Sequence, residues 1–427
     1  MTWWRAFCLC LVIAFLSFSA SRSQADASAP VIRPLPFAVP GDAAQPNVVA
    51  LPGHGYVLTW QLRNGSRNEL WFAQLDRDGR ERRRGRVAAG RDWFINWADF
   101  PSLAVLDNGD WVTYWLQKSA ASPYAYDIKL TRSTDRGLHW SKPVSPHTDG
   151  TPTQHGFVSL LADGADRVLV VWLDGRRAAE LPAHAGSSNE HEHDEEAAPM
   201  TLRTAVLDRS GQRSGEALLD DSACSCCQTD AVRWAGRVLV AWRDRSVEEV
   251  RDIAVTARGV DGQWSPPRIL SADHWKIEGC PVNGPALAVS GDRLLAFWPT
   301  LVGDQMVQRY TVRQWDQRDA PTQTLDSGDR VRGRVDAAAW GDGFLLTWLG
   351  GSDQNAGPRL GVLDVSGRLQ NVQILAQSSG SRAVGFARLA SQADSALAAW
   401  SVPTGGGRMT VKLALVLTDS QRIDLPR

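Results

Sequence analysis

The chain has 427 residues and a formal net charge of −1, from 46 Lys+Arg against 47 Asp+Glu. Hydrophobic residues make up 43% and charged residues 22%, the balance of a globular protein and not of a disordered chain. No long basic run is present to seat a phosphate backbone, which excludes a polybasic nucleic-acid binder.

Met1–Arg5 carries one positive charge, Ala6–Phe18 is a short apolar run, and small residues follow as far as Ala25. That succession predicts a secretory signal peptide over residues 1–25, with cleavage after Ala25. The apolar run falls short of the roughly 20 residues that span a bilayer. Cys8 and Cys10 would leave with the signal, and no second long apolar run follows. The expected mature protein is a single domain over residues 26–427, periplasmic or secreted, with no membrane span.

Beyond the signal a unit recurs: an apolar stretch, a tight turn, and a second apolar stretch ending in Trp. It ends in turn at Trp60, Trp115, Trp172, Trp242, Trp298, Trp348 and Trp400. The spacing is 50–57 residues except between Trp172 and Trp242, where a polar insert over 180–199 lengthens it. Each unit reads as a β-hairpin bounded by Gly, Asp or Asn turns. A third and a fourth strand follow each Trp, as in DIKLTRS and LRTAVLD, with Asp- and Gly-rich turns between them. Four antiparallel strands repeating at this period predict an all-β fold, a propeller of seven four-stranded blades. The repeated Trp serves packing between blades, because indole buries a large area with one N–H to satisfy. Two segments compete to close the ring: Ile32–Val39 before the first blade, and Gln421–Pro426 at the end.

One turn carries a resemblance. Ser133, Asp135, Gly137 and Trp140 stand in the pattern Ser-x-Asp-x-Gly-x-x-Trp, which resembles the Asp-box of the sialidase-like, or BNR-repeat, β-propellers. Gly259–Trp264 is a degenerate second copy. In such a turn the carboxylate accepts backbone N–H groups and the glycine permits positive φ, so these four residues are expected to be structural. The resemblance implies a glycan-active propeller, six-bladed in the usual sialidases, with an arginine clamp on a substrate carboxylate, a tyrosine nucleophile and an aspartate acid/base. Forked guanidinium groups suit a carboxylate. Arg243, Arg251, Arg332, Arg334 and Arg382 are the candidates for substrate binding, and Asp99 for the acid/base. The nucleophile is not identified: Tyr310, the single Tyr of the C-terminal half, stands in a third strand.

The rim residues come from register. Eighteen residues before successive Trp stand Trp97, Gln154, Cys224, Cys280, Arg330 and Arg382. The remaining cysteines are Cys224, Cys226, Cys227 and Cys280. In an exported protein disulfides are expected, with Cys280 bridged to the CSCC cluster. The competing reading is a soft-metal site for copper or zinc, with His155 contributing. The insert adds His184, His191 and His193 among acidic residues, a tract able to bind metal loosely. Two functions stand side by side: a glycan-binding propeller or divergent exo-α-sialidase-like hydrolase taking an anionic ligand at an arginine-rich rim, or a periplasmic copper- or zinc-handling protein or protein-interaction scaffold without catalysis.

Overall fold

The computed structural model describes residues 29–179 and 200–418, apart from 315, 316, 318, 319, 329, 353, 354 and 379. The chain opens with β1 (Val31–Leu35) and then forms seven antiparallel sheets in succession. Blade 1 holds β2 (Asp42–Leu51), β3 (Gly55–Asn64), β4 (Arg67–Leu75) and β5 (Glu81–Gly90). Blade 2 holds β6 (Leu103–Val105), β7 (Trp111–Lys118) and β8 (Tyr126–Ser133), and a single bridge from Leu130 to Val144 stands where its fourth strand would be. Blade 3 holds β9 (His155–Ala162), β10 (Val168–Asp174), β11 (Met200–Leu207) and β12 (Arg213–Ala223). Blade 4 holds β13 (Asp230–Trp234), β14 (Arg237–Arg243), β15 (Ile253–Arg258) and β16 (Arg268–Ser271). Blade 5 holds β17 (Ala286–Ser290), β18 (Arg293–Val302), β19 (Gln305–Gln314) and β20 (Gln323–Ser327). Blade 6 holds β21 (Asp336–Trp340), β22 (Gly343–Gly350), β23 (Gly357–Leu363) and β24 (Leu369–Ile374). Blade 7 holds β25 (Arg388–Ser391), β26 (Ser395–Gly405) and β27 (Arg408–Leu417).

Ring closure is settled by β1. It pairs antiparallel with β27, from Val31 opposite Leu417 to Leu35 opposite Leu413, and becomes the outermost strand of blade 7. Pro34 is tolerated there because an edge strand has one free side. The competing segment, Gln421–Pro426, lies outside the described residues, as do the signal region and the insert with His184, His191 and His193. Seven blades replace the six that the sialidase resemblance implied. Among the described residues no helix is long and apolar enough to cross a membrane.

The second strand of each blade explains the repeat. It is covered by a neighbouring blade on both faces, so it reads as a continuous apolar run; β10 and β22 are buried at every position. The outer strand β5, by contrast, has no buried residue. The seven Trp are buried, from 0% exposure at Trp172 to 8% at Trp115. Each sits in an apolar cluster shared with the preceding blade. The core is therefore a set of wedges between blades, and truncating one such Trp to Ala should cost about 3–5 kcal/mol. Three indoles also donate to carboxylates: Trp172 to Asp174 at 2.8 Å, Trp242 to Asp220 at 2.5 Å and Trp298 to Asp273 at 2.7 Å.

The Asp-box forms the turn after β8. The Ser133 hydroxyl donates to Asp135 at 2.8 Å and accepts the Gly137 N–H at 2.6 Å, while Asp135 accepts the His139 N–H at 2.9 Å. Gly137 has φ +89° and would place a Cβ 2.6 Å from the Phe72 ring of blade 1. Trp140 packs on the same ring with centroids 6.1 Å apart.

Candidate functional site

In this topology the connections entering each first strand, and those between second and third strands, gather at one end of the channel. A cavity of about 190 Å³ opens there. Its wall includes Phe94, Trp97, Tyr124, Tyr126, Gln154, Cys226, Cys280 and Arg382. Four of the six rim positions read from register, Trp97, Gln154, Cys280 and Arg382, thus meet in one space. Deeper in the channel a second cavity, about 160 Å³, is lined by polar groups including Asp99, Asp230, Gln228 and Arg388.

The cysteines lie on the wall between blades 3 and 5. Cys224 and Cys227 are buried and Cys226 and Cys280 are half-buried. In this structure all four are free. Sγ of Cys224 stands 3.1 Å from that of Cys227 and 3.8 Å from that of Cys226, beyond the ~2.05 Å of an S–S bond. Arg251 donates to Cys224 Sγ at 3.3 Å. Burial opposes ionisation of Cys224, but hydrogen bonds from Cys226 and Cys227 and the Arg251 charge outweigh it and hold this thiol well below its ordinary range. Burial pushes Cys227 the other way.

The arginines separate into two groups. Arg243 is 1% exposed and spends its guanidinium on three backbone carbonyls: Asn283 at 2.8 Å, Arg251 at 2.6 Å and Pro299 at 2.6 Å. Arg251, equally buried, is paired with Glu249 and Cys224. Neither is turned to the cavity. Arg332, Arg334 and Arg382 gather on blades 6 and 7. Arg334 donates to the Ser381 carbonyl at 2.9 Å and lies under the Trp97 ring, 4.6 Å from its centroid. Burial, and then the charges of Arg332 and Arg382, lower its pKa to about 10. Arg382 is exposed on a short 3-10 turn at the cavity mouth.

Asp99 is buried on the wall of the deeper cavity. One oxygen accepts the Phe157 N–H at 2.8 Å and the other the Tyr126 hydroxyl at 3.2 Å. Burial pushes its carboxyl up to about 7. Gly156 makes room for it, since a Cβ there would fall 2.0 Å from Asp99 Oδ2. Tyr310 lies elsewhere, its hydroxyl within hydrogen-bond distance of two acceptors, Gln323 Oε1 at 2.8 Å and the Gly367 carbonyl at 2.9 Å.

His155 is not beside the cysteines. Neighbouring residues on extended chain face opposite ways: Gln154 reaches the Ser225 carbonyl of the cysteine loop, 3.4 Å away, while His155 stacks on His147 at 3.8 Å. His155 Nε2 stands 3.3 Å from Asp149 and 3.8 Å from Asp174, and Arg176 joins the same carboxylates. Burial opposes its charge, yet Asp149 and Asp174 hold its pKa above the ordinary value. The sequence reading missed His147, Asp149 and Tyr126, which fall outside the Trp register. It also missed Asp230 and Asp336, although both open apolar first strands, DAVRW and DAAAW, where an acid needs a reason.

No protein-family model matches the sequence, and neither does any curated protein. Among solved structures the chain is similar to a protein of unknown function from Dyadobacter fermentans DSM 18053, with TM-score 0.51 and 12% identity over 91% of this chain and 98% of that one. It is also similar to the polysaccharide lyase Uly1, with TM-score 0.51 and 9% identity over 88% and 90% of the two chains. The NanB sialidase of Streptococcus pneumoniae gives TM-score 0.47 and 7% identity over 92% and 95%. At these identities the likeness to the first two establishes the propeller fold alone.

Proposed function

We propose that this propeller binds an anionic carbohydrate in the cavity at the channel mouth. The observation that carries the reading is the gathering of Arg332, Arg334 and Arg382 beside an aromatic wall. Burial, and then their mutual repulsion, takes the Arg334 pKa down to about 10, and a carboxylate bound at the exposed Arg382 relieves the repulsion. Tyr124, half exposed, offers a ring face to a sugar, Trp97 lines the wall, and Gln154 and Asn96 offer polar contacts. The same fold carries a polysaccharide lyase in Uly1.

The reading is one of recognition. Tyr126 and Asp99 form the tyrosine–carboxylate pair nearest the cavity, but the phenol is fully buried. Burial, and next the Asp99 charge, raise its pKa well above the ordinary value, which is the opposite of an activated nucleophile.

Calorimetric titration with uronate- or sialate-containing oligosaccharides, beside neutral ones of equal length, tests it. Acidic ligands should bind and weaken with salt. Arg382→Ala should lower affinity roughly 10- to 100-fold, the value of a charged hydrogen bond, while Asp135→Ala, in the distant Asp-box, should leave the affinity of folded protein unchanged. Equal binding of neutral sugars, or full affinity after Arg382→Ala, would overturn the proposal.

A further inference from the structure

The cysteine cluster has a geometry that glycan recognition does not use. Three sulfur atoms, those of Cys224, Cys226 and Cys227, all lie within 4.8 Å of one another. Cys280 is not one of this mutual set; it hydrogen-bonds to Cys226 and shares the cavity wall with it. A disulfide would occupy two sulfurs and has no use for the third. A trigonal metal ion needs all three.

Their surroundings point the same way. Three thiolates around a monovalent ion leave an excess of negative charge. Two buried guanidiniums stand against the cluster: Arg251, donating to Cys224 Sγ, and Arg243, whose charge acts on Cys227. The backbone braces the loop as well, with the Cys224 N–H on the Arg243 carbonyl at 2.9 Å. The imidazole that would mark a mixed nitrogen–sulfur site is elsewhere, because His155 stacks on His147. A set of three sulfurs without imidazole suits a soft, low-coordinate ion, whereas structural zinc takes four ligands.

From this juxtaposition we infer that Cys224, Cys226 and Cys227 form a trigonal thiolate site for Cu(I), with Cys280 at its mouth facing the cavity. The site stands on the sulfur geometry and does not depend on the carbohydrate reading.

The test uses the whole chain, purified reduced and kept anaerobic, titrated with Cu(I) in competition with bicinchoninate. One Cu(I) per chain should bind, with three sulfur neighbours and no nitrogen by X-ray absorption. Cys226→Ser should lower the affinity by roughly two orders of magnitude or more. Cys280→Ser should keep the stoichiometry of one. Circular dichroism and the melting curve show whether each variant is folded, and Cys227→Ser provides a second removal of a ligand. Arg382→Ala, which tests sugar binding, should leave Cu(I) affinity unchanged, so the two proposals fail separately. No Cu(I) bound by reduced protein would overturn the inference. So would a Cu(I) affinity left unchanged by both Cys226→Ser and Cys227→Ser. Preference for Zn²⁺ with complete dependence on Cys280 would replace the trigonal site by a four-sulfur one.

Discussion

Asp99, Asp230 and Asp336 show what a single side chain does between blades. Each accepts the backbone N–H of the next blade's first strand: Phe157 at 2.8 Å, Leu287 at 2.7 Å and Leu389 at 2.7 Å. These bonds stitch the channel wall, and burial raises all three carboxyls above their ordinary values. Asp99 moves from 3.8 to about 7. Below the lower value both folded and unfolded chains hold the proton; between the two only the folded chain does. Stability attributable to Asp99 is therefore greatest in acid, falls as pH rises from about 4 to about 7, and is level above that. The loss is on the order of 2–4 kcal/mol. Asp99→Asn retains a carbonyl for the Phe157 N–H and removes the ionisation. Urea unfolding should show the variant more stable than the parent by about 1–3 kcal/mol near pH 8, with the gap closing near pH 4. Parallel pH curves for the two proteins would refute this account of Asp99.

Turns and strand ends show why some of the site was legible and some was not. The turn between third and fourth strands repeats one device in blades 1, 3 and 6. Asp76 accepts the N–H groups of Asp78 and Arg80, Asp208 those of Ser210 and Gln212, and Asp364 those of Ser366 and Arg368. Asp135 is the fullest copy. Hydrogen bonds from the His139 backbone and ring hold its carboxyl below the ordinary range, so its contribution is complete above the usual aspartate pKa and fades in acid. Asp135→Ala should lower the melting temperature at neutral pH, with a deficit that begins to shrink as pH falls below about 4, as calorimetry at neutral pH and at pH 3 can check. Register along such elements is visible in sequence, because every blade repeats the same path from rim to Trp. That is how Trp97, Gln154, Cys280 and Arg382 were brought to one cavity. Register does not say what a side chain will spend its charge on. Arg243 is consumed by backbone carbonyls 8, 40 and 56 residues away, and a carbonyl leaves no trace in sequence. One step along the chain likewise separates Gln154, on the cysteine loop, from His155, on His147.

At the scale of the molecule the repeat gives the blade count directly, since each wedge needs one large apolar plug and the sequence supplies seven Trp at blade spacing. Closure is another matter. Both termini offer a β-rich segment, and the choice depends on which one reaches the open edge of β27. In the fold it is β1, whose Arg33 also donates to the Asp78 carbonyl of blade 1 at 2.7 Å, beyond the sheet it joins. The strand is half-buried, so the packing of Val31 and Leu35 contributes only about 1 kcal/mol each. Its larger effect is topological. Without it β27 presents unpaired N–H and C=O groups along an exposed edge, and blades 7 and 1 are no longer joined through Arg33. A chain beginning at Pro36 should melt at lower temperature and with less cooperativity than one beginning at Asp26. It should also form larger species on size exclusion, because an open sheet edge recruits another strand. A truncated chain that stays monomeric with an unchanged melting curve would show that something other than β1 holds the ring closed.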